Sequence, residues 1–375
     1  MISYSSSVLV RLASLLLTLA VGSDLHAESV SANDNTQPPF KAVYRWGQGG
    51  AVKGLYDAYG PWLNRKVIWA EDFMPTEGWN KIEGEEWQLG TWKGWCQKQP
   101  GRRLVLSVPL LPGGWSGRGS TSGPGAGEPV SLAEGAKGAY NIYFQHLAEN
   151  LIANDLGDTI LRLGWEFNGG WYAWRADTKE KAATYAAYFR QIVAAMRSVQ
   201  GAANLTFVWN PAMEPWWPYA PETAWPGDDV VDYVGIDIYD QSWAKDTYPY
   251  PEGASEEQIS AIQLKVWDQV KNNEKAYGLP YWVQFAARHK KPLTIPEWGI
   301  CARSDKHGGL DNPMFIEKMH EFINDPANNV YFECYFDVGA HDGDHQLCPN
   351  PDGKRETRFP KASAKYKELF SLPTK

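Results

Sequence analysis

Cysteine is scarce in this chain, with Cys96, Cys301, Cys334 and Cys348 the only four among 375 residues. None of their spacings resembles the paired CxxC of a compact zinc module, so that class is excluded, and two disulfides in any of three pairings are the ceiling. Positive charge is also short: 36 Lys and Arg stand against 44 Asp and Glu, a formal net charge of −8. A surface that grips phosphate backbones needs clustered cations, so nucleic acid is not an expected partner. Beyond the N-terminus no apolar run approaches the length that crosses a bilayer.

One short apolar run does occur, Leu12 to Val21 behind the single charge of Arg11. It is too short to span a membrane and reads as a secretory signal over residues 1–27, cut near Gly22 or Ala27. No cysteine lies beside those positions, which argues against a lipid anchor. Residues 28–40 are polar and expected to be disordered. From 41 to 375 no linker interrupts the chain, so one domain is expected, secreted or periplasmic and working as a monomer.

What the chain has in abundance is tryptophan, 19 residues. Aromatic faces stack on the C–H faces of pyranose rings, although many such rings fill core space instead. Strand-like runs over 41–46, 66–70, 103–109, 159–164, 205–209, 233–238, 293–296 and 330–335 alternate with helix-like stretches such as 139–153, 179–199 and 256–275. In the second of these helices Tyr185, Phe189, Ile192 and Met196 recur at helical spacing. Eight such alternations predict a single (β/α)8 TIM barrel, an α/β fold whose active site lies at the C-terminal ends of its strands.

Two glutamates fall at those ends. The fourth run reads Leu161-Arg-Leu-Gly-Trp-Glu-Phe-Asn-Gly-Gly-Trp-Tyr-Ala-Trp174 and the seventh ends in Pro296-Glu-Trp-Gly299. Alternation puts Arg162, Gly164 and Glu166 on one face and Leu161 and Leu163 on the other. By the same rule Gly235, Asp237 and Tyr239 fall together in the sixth run, and Leu293, Ile295 and Glu297 in the seventh. A pair of carboxyl groups inside a tryptophan-rich surround is what glycosidic bond cleavage requires: one protonates the leaving oxygen while the other stabilises or attacks the sugar carbon.

These two segments resemble glycoside hydrolase family 26, in the clan of retaining (β/α)8 enzymes. The resemblance implies Glu166 as acid/base, Glu297 as nucleophile and Tyr239 as the tyrosine that hydrogen-bonds the nucleophile. It also implies a polysaccharide or oligosaccharide as partner, with β-1,4-mannan the leading substrate. One departure is Trp165: mannan-cleaving members usually carry His before the acid/base. β-1,3-xylan and bacterial exopolysaccharide therefore compete with mannan, and transglycosylation or a non-catalytic carbohydrate-binding barrel stay open as other functions. Expected sugar contacts are Arg162, Trp165, Trp171, Trp174, Trp209, Tyr239 and Trp298, with Trp216 and Trp217 as further candidates at the cleft wall.

Three smaller features complete the reading. Cys301 and Cys348 form the favoured disulfide, with Cys334 a buried thiol. His341-Asp-Gly-Asp-His345 reads as a polar turn, and Gln48-Gly49-Gly50 as a glycine cluster without a phosphate-binding pattern, so no metal or cofactor is expected. The Gly- and Ser-rich stretch 112–129, with Trp115, is expected to form a rim loop over the cleft.

Overall fold

A computed structural model describes residues 35–45, 52, 58–113, 126–214, 217–349 and 356–372. The expected leader, the Gln48–Gly50 cluster, most of the 112–129 stretch including Trp115, and Trp216 lie outside the described residues. Order begins earlier than expected: Asn35, in the stretch expected to be disordered, is buried and clamps Lys41 by both backbone groups at 2.6 and 3.0 Å.

Eight parallel strands form the barrel: β1 Phe40–Tyr44, β2 Trp69–Phe73, β3 Arg103–Val108, β4 Ile160–Leu163, β5 Thr206–Trp209, β6 Tyr233–Gly235, β7 Leu293–Gly299 and β8 Val330–Phe336. Each pairs with its neighbour in chain order, and β8 pairs with both β7 and β1, which closes the ring. Ile238–Tyr239 continues β6 and pairs with β7 at Trp298 and Gly299. The fold is a (β/α)8 barrel, and the alternation that predicted it is met strand for strand, with β2 displaced by three residues.

The helices obey simple rules. Lys179–Arg197 starts where the Thr178 side chain accepts from the Lys181 backbone N–H, carries Glu180 in its first turn and Arg197 in its last, and buries Tyr185, Phe189, Ile192 and Met196. Glu256–Val266 opens with a capping box between Ser255 and Gln258, then passes into a wider turn over Trp267–Lys271. Among the described residues no helix is long and apolar enough to cross a membrane.

Alternation along the strands sorts the interior into layers. Trp69, Val105, Ile160, Val208 and Tyr233 form an apolar floor inside the barrel. Two residues further along the first four of these strands stand Glu71, Ser107, Arg162 and Asn210, all fully buried, and Asp237 joins their level from beyond β6. The odd-parity neighbours Leu161, Leu163, Phe207 and Trp209 face the helices in the outer core, each apolar side chain contributing about 1.5–3 kcal/mol of burial. In β7 the expected parity fails. Leu293 and Ile295 join the outer core, whereas Glu297 points inward. The cause is a bulge: Glu333 and Tyr335 of β8 register against Ile295 and Trp298, so three steps of β7 face two of β8, and Glu297 is turned to the other face.

The expected Cys301–Cys348 disulfide is not formed. All four cysteines are free thiols. Cys301 Sγ faces His345 Nε2 at 3.7 Å, and Cys348 Sγ lies against its neighbour's carbonyl, Pro349 O, at 3.4 Å, so neither sulfur is spent on the other.

Candidate active site

Glu166 reaches the barrel mouth through a turn, because β4 ends at Leu163. Gly164 and Glu166 both adopt left-handed backbone, φ 54° and 50°. For glutamate this conformation is unfavourable and needs support from its surroundings. That support is a set of hydrogen bonds: Glu166 N–H donates to Asn210 O at 2.7 Å, and the Asn168 side chain is clamped to both backbone groups of Ala212 at 2.8 and 2.9 Å. Gly164 has no room for a side chain, since a Cβ there would lie 2.5 Å from Leu110. At Gly169 a Cβ would lie 2.3 Å from the Trp171 ring, so glycine lets that indole fold back over the turn. Trp171 Nε1 then donates to Glu166 Oε2 at 2.9 Å.

Arg162 ties the polar layer together. Its Nη1 donates to Glu71 Oε1 at 3.0 Å and Ser107 Oγ at 2.9 Å, its Nε to Asn210 Oδ1, and its Nη2 to Asp237 Oδ2 and Glu297 Oε1. Glu297 Oε2 accepts from the Tyr239 hydroxyl at 2.7 Å, and the Glu297 backbone N–H donates to Asp237 Oδ1. One carboxylate oxygen from each of Glu166, Asp237 and Glu297 lies within 4.8 Å of the other two.

Three carboxyl groups share a single guanidinium with Glu166 close beside them, and like charges so placed oppose ionisation. Burial first, then the charge of Glu297, pushes Glu166 up to about 8, against the opposing pull of Arg162 and the Trp171 hydrogen bond. Burial raises Glu71 to about 7, with Arg162 opposing, and burial raises Asp237 as well. Burial followed by the Glu297 charge holds the Tyr239 phenol protonated, so it donates. Glu166 therefore carries a proton at neutral pH.

The two glutamates open into a cavity of about 510 Å³ walled by Phe73, Trp165, Trp171, Tyr239, Trp243 and Phe336. A second cavity of about 640 Å³ adjoins it, and Trp171, Glu214 and Trp243 line both. A carboxyl pair at the strand ends, one member protonated, at the floor of an aromatic cleft is able to give and take protons.

Residues 134–256 match the family model for glycosyl hydrolase family 26. That match covers about a third of the chain, and over it the chain is similar to that family. The matched span holds Glu166 and Tyr239, and Glu297 lies beyond it. A β-1,3-xylanase, TXYA, from Vibrio sp is 30% identical over 165 residues, 43% of this chain and 27% of that protein, so the chain spans about a quarter of this relative's length in the match. Among solved structures, an endo-β-1,4-mannanase double mutant from Cellulomonas fimi is 18% identical with a TM-score of 0.55, covering 88% of this chain and 71% of that one. The catalytic domain of an endo-β-1,4-mannanase from Bacillus sp. JAMB-750 is 16% identical with a TM-score of 0.53, covering 90% and 86%. At these identities the structural likeness concerns the barrel fold.

Not every expected sugar contact lies at the cleft. Arg162, Trp165, Glu166, Trp171, Tyr239 and Glu297 converge, with Arg162 beneath the others. Three tryptophans do not. Trp174 has no exposed surface: its ring stacks on Tyr172 at 4.4 Å and its Nε1 donates to Trp165 O. Trp209 faces outward from β5, stacked on Phe285 at 5.3 Å. Trp298 faces outward from β7 and donates to Glu333 Oε2 at 2.6 Å. A sugar cannot reach any of these rings, so their assignment as sugar contacts is corrected to packing. Trp165 is held by its Nε1, which donates to Tyr172 OH at 2.8 Å, so it offers the cavity a ring and no free donor. Sequence reasoning missed Glu71, Glu214 and Trp243. The adjacent acids Glu71-Asp72 in an otherwise apolar strand were the available signal for the first.

Proposed function

We propose that the chain is a secreted, retaining endo-β-glycanase that works by double displacement. The observation that carries this reading is the approach of Glu166 and Glu297 oxygens to within 4.8 Å. Carboxyl groups about 5–5.5 Å apart belong to retaining glycosidases, and roughly 6.5–9.5 Å leaves room for the water of an inverting one. Glu166 starts protonated and gives its proton to the glycosidic oxygen as the bond to the sugar breaks. Glu297, oriented by Tyr239 and Arg162, attacks the anomeric carbon. The ionised Glu166 then takes a proton from the water that releases the glycosyl-enzyme.

For the substrate, mannan stood first on sequence, and two observations now favour β-1,3-xylan. The curated relative at 30% identity is a β-1,3-xylanase, and Trp165 spends its donor on Tyr172 where a mannan site would use a polar group. Export rests on the leader at 1–27, and N-terminal sequencing of the protein from culture fluid or periplasm tests it. The test of the whole reading is hydrolysis of a panel of β-1,3-xylan, β-1,4-mannan, glucomannan and bacterial exopolysaccharide, with NMR of the first-formed anomer. Retained β configuration and preference for β-1,3-xylan are expected. Inversion would remove the double displacement, longer products than substrate would mean transglycosylation, and binding without turnover would mean a carbohydrate-binding barrel.

A further inference from the structure

A second cluster of chemically active side chains lies at the barrel mouth, made of residues to which the glycanase reading gives no role. Cys301 follows β7, and Asp342 and His345 come from the run after β8 that the sequence reads as a polar turn. A two-stranded ribbon, Ala302–Arg303 against Gly343–Asp344, holds the two segments in antiparallel register. The approach is close because of Gly343, where a Cβ would lie 2.8 Å from Ala302 O and 3.0 Å from Cys301 Sγ.

One ligand atom from each of Cys301, Asp342 and His345 lies within 4.8 Å of the other two. His345 Nε2 is 3.7 Å from Cys301 Sγ and 3.5 Å from Asp342 Oδ1. Zinc bonds of about 2.0–2.3 Å in tetrahedral geometry put neighbouring ligand atoms roughly 3.3–3.8 Å apart. The other ring nitrogen fixes the tautomer. His345 Nδ1 lies 2.9 Å from Ile300 O, a carbonyl that can only accept, so Nδ1 carries the proton. Nε2 is then the ring atom that faces a carboxylate oxygen and a sulfur. Imidazole held by a backbone carbonyl on one side, with its other nitrogen facing a carboxylate and a thiol, is the arrangement metal-binding histidines adopt. Arg303 Nη1 holds Asp342 Oδ2 at 3.0 Å, leaving Oδ1 for the cluster, and Arg303 is itself paired with Asp305. Asp342 is a third exposed, which gives an ion a way in.

We propose that Cys301, Asp342 and His345 form a binding site for a zinc-class divalent cation, with a fourth position open to water. Cys301 gives up its thiol proton on binding, and the thiolate and carboxylate together balance the cation's two charges. Such an ion staples the loop after β8 to the end of β7. Asp342 and Arg303 also line the catalytic cavity, so the staple braces that wall.

The test uses the full chain, reduced, stripped with a chelator and titrated with Co(II) and then Zn(II). A thiolate-to-cobalt charge-transfer band in the near ultraviolet, saturating at one ion per chain and bleached by zinc, is expected. Cys301→Ser should abolish the band and His345→Ala should weaken affinity about tenfold or more, while Cys96→Ser keeps both. Melting curves of the metal-free proteins, matching between wild type and variants, establish that the variants fold. No band in the wild type at saturating cobalt would overturn the proposal. So would a band that survives Cys301→Ser or vanishes in Cys96→Ser.

Discussion

Replacing Glu297 by Gln should strip Glu166 of much of its hold on a proton. Like charges disfavour the ionised form, so the Glu297 carboxylate raises Glu166, and neutralising it must lower Glu166. The oxygens approach to within 4.8 Å, and two unit charges at that distance interact by about 3 kcal/mol at an effective dielectric constant of about 20. At 1.36 kcal/mol per tenfold, Glu166 should fall from about 8 to about 6. Burial remains in the variant, so the group should stay above an ordinary glutamate. Carbon-13 NMR of labelled glutamate side chains, with Glu166 assigned by its loss in Glu166→Gln, reads the midpoint directly. A midpoint that stays near 8 or rises would show that burial alone holds the proton and that the two carboxyl groups do not sense each other. In the wild type the same sign means that kcat/KM falls as pH rises through about 8, where Glu166 loses the proton it must donate.

Trp171→Phe removes the indole N–H that supports the ionised form of Glu166. A hydrogen bond to a charged group is worth about 1.5–3 kcal/mol, so release of the glycosyl-enzyme should slow about tenfold or more, with a pre-steady-state burst and a basic limb moved to higher pH; a limb that moves lower would refute the assignment. Trp209→Ala should cost about 3–5 kcal/mol of stability in chemical denaturation while leaving KM of the folded fraction unchanged, and a raised KM would return Trp209 to the cleft.

The architecture was legible because β/α alternation is a matter of local pattern, and each of the eight expected strands has its counterpart. Parity also placed Arg162, Asp237 and Tyr239 inside the barrel. Applied to β5 it would have turned Trp209 outward, opposite Val208 and Asn210, but the link between tryptophan and sugar was given more weight than alternation. Glu297 is the reverse case: simple parity grouped it with Leu293 and Ile295, and a bulge whose register depends on β8 set it apart. Glu166 sits past the end of its strand on a left-handed turn held by Asn210 and Ala212, contacts that only the closed ring creates. The proton on Glu166 likewise depends on burial and on the Glu297 charge arriving from another strand. The Cys301–His345 contact was hidden because 44 residues separate its partners.

The most direct measurement is the Glu297→Ala variant with and without azide. The double-displacement account predicts a folded protein, by near-ultraviolet circular dichroism, with turnover abolished and partly restored by azide, giving a glycosyl azide of inverted anomeric configuration. Wild-type-like turnover without azide would contradict the account, because a missing nucleophile cannot form the covalent intermediate.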